Sequence, residues 1–132
     1  MRDRSCLFPS GSIRTRFKMN IEELRTYCLS KKGVEEGLPF GPDTLVFKVM
    51  DKIFLLTGMG HPLQFNVKCD PEKAILLRDE YSCVKPGYHM NKKYWNTVTV
   101  DGSVSKKQLQ EWITHSYEEV VAGLPKVKQK EL

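Results

Sequence analysis

Three strand-like segments follow one another in the middle of this chain with almost no linker between them. That arrangement restricts the fold more than any other feature. Leu45, Phe47 and Val49 alternate with Thr44, Val46 and Lys48, the period-two pattern of a pleated strand. Asp51-Lys52 then marks a tight reversal into a second apolar run at residues 53–57. A parallel crossover needs about a dozen residues or more, so this pair reads as an antiparallel hairpin. Beyond the loop Gly58-Met59-Gly60-His61-Pro62, a third strand alternates Leu63, Phe65, Val67 and Cys69 with Gln64, Asn66 and Lys68.

Helices flank these strands, each with its own start signal. Asn20 is placed as N-cap with Glu23 three positions on, and Met19 and Leu24 stand at the two ends of a hydrophobic staple. The helix they open should run from Ile21 to about Lys31, burying Ile21, Leu24, Tyr27, Cys28 and Leu29. Lys31 and Lys32 suit its negative end, and Gly33 suits a left-handed C′ position. Asp70-Pro71 opens a second helix, with proline at a position where its missing N–H costs nothing. It should run to about Glu80 and bury Ala74, Leu77, Ile75 and Tyr81.

A further strand spans residues 95–100 and is ended by Asp101-Gly102. Ser105 and Gln108 form another capping-box pair, with Val104 and Leu109 as its staple. The last helix carries apolar residues at 109, 112, 113, 117, 120, 121 and 124, a helical stripe closed by Gly123 and Pro125. The order predicts an α+β domain, an antiparallel sheet with helices packed mainly on one face.

A chain of 132 residues builds a single core. No apolar run approaches the roughly 20 residues of a membrane span. The net charge of +5 is unevenly spread, because residues 1–18 hold Arg2, Arg4, Arg14, Arg16 and Lys18 against Asp3 alone. The other 114 residues carry 16 basic and 15 acidic side chains, so overall pI says little about a nucleic-acid fold. Residues 1–18 lack an apolar period and the hydrophobic core of a secretory signal. They are expected to be an upstream-extended start or a disordered arm, followed by one domain at 19–125 and a basic frayed tail at 126–132.

Cys6, Cys28, Cys69 and Cys83 form no C-x-x-C pair, and His61, His89 and His115 are isolated. This favours buried free thiols in a reducing cytoplasm over a metal centre, and no cofactor is implied. His115 and Ser116, adjacent on a helix, face different directions and make no nucleophile pair. There is no G-x-S-x-G, phosphate loop or dinucleotide fingerprint, and the chain is not expected to be an enzyme.

Chemistry concentrates in Pro86-Gly87-Tyr88-His89-Met90-Asn91-Lys92-Lys93-Tyr94-Trp95-Asn96. Lys92 and Lys93, with Lys85 nearby, are suited to phosphates. Asn91 and Asn96 are able to bond a base edge or a phosphate, His89 to orient the contact, and Tyr88, Tyr94 and Trp95 to stack on unpaired bases. A structural alternative stands beside this one. Trp95 would be a core residue, Tyr88 and Tyr94 would pack over a sheet edge, Pro86-Gly87 would form a type II turn, and the lysines would simply be solvated.

Several of these segments together resemble the MmcQ/YjbR family. They are residues 19–24, Phe40-Gly41-Pro42-Asp43-Thr44-Leu45-Val46-Phe47-Lys48, Asn66-Val67-Lys68-Cys69-Asp70-Pro71, Pro86 to Lys92 with Trp95-Asn96-Thr97, His115-Ser116-Tyr117 and Gly123-Leu124-Pro125. The likeness covers residues 19 to about 128. It implies a frataxin-like fold, sometimes described as double-wing, and a DNA-binding role, with DNA as the partner. Frataxins are associated with iron through an acidic first helix. Here Glu22 and Glu23 are soon followed by Arg25, Lys31 and Lys32, so iron binding is not carried over. The alternative function is a small-anion or protein-interaction module bordered by the loops at 40–42 and 58–62.

Overall fold

Asn20 and Glu23 close a reciprocal capping box that starts the first helix. In the computed structural model, which describes residues 19–58, 60, 62–87 and 91–132, α1 spans Ile21–Leu29. Asn20 Oδ1 accepts the Glu23 N–H at 2.8 Å, and Glu23 Oε1 accepts the Asn20 N–H at 3.2 Å. Met19 and Leu24 are both buried, as a staple requires. The second Glu23 oxygen accepts Lys106 Nζ at 2.6 Å, which holds the carboxyl below its ordinary pKa. Leu29, expected on the buried stripe, is instead exposed at the helix end. The cap falls at Ser30, and Gly33 takes φ +77° two residues beyond Lys31.

The remaining elements are β1 (Val34–Gly37), β2 (Thr44–Val49), β3 (Lys52–Gly58), β4 (Gln64–Lys68), α2 (Pro71–Glu80), β5 (Val84–Pro86), β6 (Trp95–Thr99), α3 (Lys106–Ala122) and α4 (Lys126–Lys130). The strands form one six-stranded sheet in the order β1-β2-β3-β4-β6-β5, antiparallel at every pairing. β1 and β5 are edge strands that the sequence pattern did not announce. Val34-Glu35-Glu36-Gly37 has no alternation, and β5 is three residues long. The β2–β3 turn is Met50-Asp51, not Asp51-Lys52, because Lys52 already pairs with Val49. Both turn residues have positive φ, 50° and 68°. That is the backbone a two-residue hairpin demands, resisted by Met50 and better tolerated by Asp51.

All three long helices pack on one face. Leu24 and Cys28 of α1 and Leu109, Trp112, Ile113 and Val120 of α3 join Phe47, Leu55, Phe65, Val67 and Val98 in a single core, with Leu77 of α2 at its margin. Asp70 caps α2 by accepting the Lys73 N–H, and Pro71 stands at N1 as expected. Ile75 was expected to be buried with Ala74, yet it is 63% exposed, since α2 turns only its 74/77 side to the sheet. Ser105 accepts the Gln108 N–H and caps α3. Ser116 is fully buried: its hydroxyl donates to the Phe54 carbonyl at 2.5 Å and accepts the Lys68 N–H at 2.8 Å. It thereby satisfies two backbone groups that would otherwise be orphaned under a helix.

The basic tail is not a frayed end in this structure. α4 forms at Lys126–Lys130, and Leu132 packs against the core beside Gly33. A Cβ on Gly33 would lie 2.5 Å from Leu132 Cδ2. The apolar packing of Leu132 outweighs the polarity of the segment before it.

Candidate nucleic-acid interface

Residues 85–96 are not one loop. Lys85 and Pro86 belong to β5, Trp95 and Asn96 belong to β6, and the two strands pair antiparallel with Pro86 opposite Asn96. Tyr88 and His89 lie outside the described residues. Gly87 carries the ladder one step further, its N–H donating to the Trp95 carbonyl at 2.8 Å. Its φ lies outside the left-handed region, so Pro86-Gly87 is not the type II turn expected from sequence. Glycine is required there by proximity: a Cβ would lie 2.8 Å from Trp95 Cβ and 2.9 Å from Trp95 O.

The connection into β6 is a self-closed turn. The Asn91 carbonyl accepts the N–H groups of Tyr94 and Trp95, and Asn91 Oδ1 accepts the Lys93 N–H at 2.9 Å. Arg78 of α2 locks this turn from behind. Its Nε donates to Asn96 Oδ1 at 2.6 Å, and its Nη2 donates to the carbonyls of Trp95, at 3.2 Å, and Lys92. Arg78 was not singled out from sequence, where a lone arginine on a surface helix looks solvated. The available signal was its spacing: position 78 is four residues after the buried Ala74, on the stripe that faces the sheet.

Asn96 leaves the set of ligand-contacting candidates for the same reason. It is 1% exposed, points to the helix side, and also donates from Nδ2 to the Ala74 carbonyl at 3.4 Å. The Asn91 side-chain oxygen is already occupied by the turn. Lys85, Lys92 and Lys93 are exposed, and none forms an ion pair among the described residues. Tyr94 is half-buried, with the Lys93 ammonium 5.5 Å and the Lys68 ammonium 6.0 Å from its ring centre. Trp95 is half-buried as well, facing away from the helices opposite Lys68. It is therefore not the core residue of the structural alternative.

Alternation along the ladder defines what the sheet presents here on the face opposite α1, α2 and α3. Gln64, Asn66 and Lys68 on β4 stand opposite Thr99, Thr97 and Trp95 on β6, and Lys85 on β5 stands opposite Thr97. Gln64 Nε2 donates to Thr99 Oγ1 at 3.0 Å, and Thr97 Oγ1 donates to Asn66 Oδ1 at 2.5 Å. These positions hold two lysines and no carboxylate.

The other titratable groups are set by packing. His115 Nε2 accepts the Asp70 N–H at 3.3 Å while Ser116 points into the core, so the two act on different neighbours. Burial, then the Lys73 charge, lowers the His115 pKa. Burial raises the thiols of Cys28 and Cys69 to about 12 and about 11, which makes them poor nucleophiles. Among the described residues, no three His, Cys, Asp or Glu side chains are grouped as metal ligands, and no helix is long and apolar enough to cross a membrane.

Residues 29–119 match the model of the YjbR family. The uncharacterized protein YbdF of Escherichia coli O157:H7 is 41% identical over 110 residues, covering 83% of this chain and 90% of that protein. The uncharacterized protein YjbR of Escherichia coli K12 is 36% identical over 113 residues, covering 85% and 96%. In three dimensions, the chain is similar to a Deinococcus radiodurans protein of the DUF419 domain, with a TM-score of 0.81 at 38% identity over 89% of this chain and 90% of the other. With the family model, two full-length relatives and a shared fold in agreement, this chain belongs to the YjbR family.

Proposed function

We propose that this protein binds nucleic acid, with Lys85, Lys92 and Lys93 holding phosphate groups. One observation carries the reading. Lys92 and Lys93, on a turn held in place by Arg78, and Lys85, on the adjoining edge strand β5, are exposed and have no carboxylate partner among the described residues. Arg78 spends its own hydrogen bonds on neutral acceptors, so it adds a positive charge there without attracting a negative one. Cations kept apart from carboxylates are free to displace counterions from a phosphate backbone. The reading assigns no catalytic group. A small-anion site is less well supported, because two open concavities among the described residues, of about 480 and 390 Å³, are lined by Glu22 and Glu23 and by Glu35, Glu36 and Asp51, carboxylates that repel an anion.

The test is fluorescence anisotropy with labelled DNA at about 50 and 200 mM salt, on the full chain and on residues 19–132. The wild-type chain should bind with affinity that falls steeply as salt rises, and Lys92→Glu with Lys93→Glu should abolish binding while leaving the circular dichroism unchanged. Unaltered affinity in the double variant would remove these lysines from the interface. Binding that needs residues 1–18 would assign the affinity to their five basic side chains.

A further inference from the structure

We infer that the nucleic acid is single-stranded and lies across the face of β4, β6 and β5 opposite α1, α2 and α3, with bases stacked at Tyr94 and Trp95. The inference rests on the nucleic-acid reading above and specifies its ligand. Its first support is shape. β4, β6 and β5 continue into β3 as one six-stranded sheet, so this face does not enter a duplex groove as a free two-stranded ribbon would. A single strand has no such limit, because its bases turn outward and lie flat on a sheet.

The second support is the chemistry of the face. Trp95 projects from it, and Tyr94 sits at its end with two ammonium groups beside the ring. Lys68 and Lys85 flank the aromatics from neighbouring strands, and Lys93 approaches from the turn. The amide and hydroxyl groups of Gln64, Asn66 and Thr99 extend the face with hydrogen-bonding capacity. Aromatic rings interleaved with cations, and no carboxylate at the ladder positions between them, complement a chain of alternating bases and phosphates. Gly87, one residue beyond β5, contributes by having no side chain, since a Cβ there would lie 2.8 Å from Trp95 Cβ and displace the tryptophan.

The full chain is titrated with a 12-nucleotide oligothymidylate and with a 12-base-pair duplex, and the salt dependence is measured for wild type, Tyr94→Ala, Lys85→Gln and the Lys92→Glu, Lys93→Glu double variant. The expected result is single-strand affinity about tenfold or more above duplex affinity. Tyr94→Ala should lower single-strand affinity about tenfold without changing the slope against salt, because stacking releases no counterion. Lys85→Gln should reduce that slope by about 0.7, one phosphate contact on a single strand. Equal binding of duplex and single strand, indifferent to Tyr94→Ala but lost in the double lysine variant, would overturn the stacking face and leave the phosphate-binding turn intact. Binding of neither ligand would overturn both.

Discussion

Replacing Arg78 with methionine should loosen the candidate interface from behind while touching none of its exposed groups. The side chain keeps much of its apolar stem, so the change isolates the guanidinium bonds. Asn96 Oδ1 accepts Arg78 Nε at 2.6 Å, and Asn96 is buried. Orphaning such an acceptor costs about 1–3 kcal/mol. The Trp95 and Lys92 carbonyls lose Nη2 as well, though Lys92 is exposed and water can replace that donor for about 1 kcal/mol or less. A total loss of about 3 kcal/mol is expected. Urea unfolding followed by circular dichroism measures it, with the slope unchanged so that the shift in midpoint reports stability.

Asn96→Val, which removes the acceptor, should cost about 2 kcal/mol. The two together should cost at least about 1 kcal/mol less than the sum of the singles, since no buried group is then left waiting for a partner. Nucleic-acid affinity in Arg78→Met should fall as the 91–95 turn loses its anchor, with the salt slope preserved because Lys85, Lys92 and Lys93 remain. A stability loss below about 0.5 kcal/mol, or strict additivity of the two substitutions, would refute the claim that Arg78 holds the turn through Asn96.

Gly87→Ala should destabilise the protein by about 1–3 kcal/mol, because the atoms in the way are the Trp95 Cβ and backbone rather than a movable side-chain tip; urea midpoints measure this, and the tryptophan emission should shift with it. Asp51→Gly should raise stability by about 0.5–1 kcal/mol by relieving a left-handed backbone while leaving Met50 packed against the core, read as a higher melting temperature, and an unchanged one would contradict the turn assignment. His115 has a folded pKa below its unfolded one, from burial and then Lys73, against weaker opposing contributions from Glu119, Glu118 and Asp70. Its contribution to stability is therefore fully present above the ordinary value of 6.5 and is lost as pH falls through that value toward the folded pKa. A series of urea midpoints from pH 8 to 5 should show this decline, and His115→Gln should flatten it.

Local chemistry in the sequence determined much of the outline. The Asn20–Glu23 box, the Asp70-Pro71 start, the alternation in β2 and β4 and the stripe of α3 each depend on near neighbours, and each is legible one segment at a time. The short links then required antiparallel pairing. The family likeness was legible too, since its motifs lie in order along the chain. β1 and β5 were not, because short edge strands are stabilised by the partner they pair with and not by a pattern of their own. The same holds for the tail, which docks only because Leu132 finds Gly33 across the fold.

The candidate interface divides along the same line. Sequence supplied the residue types: exposed lysines, aromatics and amides crowded into eleven positions. Tertiary structure decided which of them face outward. A strand reverses its face at every residue, so Trp95 stands on the open side and Asn96 beneath a helix, although they are chemically interchangeable as candidates in the linear chain. Arg78 joined the site for the complementary reason. A helix eighteen residues upstream of Asn96 returns to the same corner of the sheet, and only that return gives the buried amide its donor and the lysine-bearing turn its anchor.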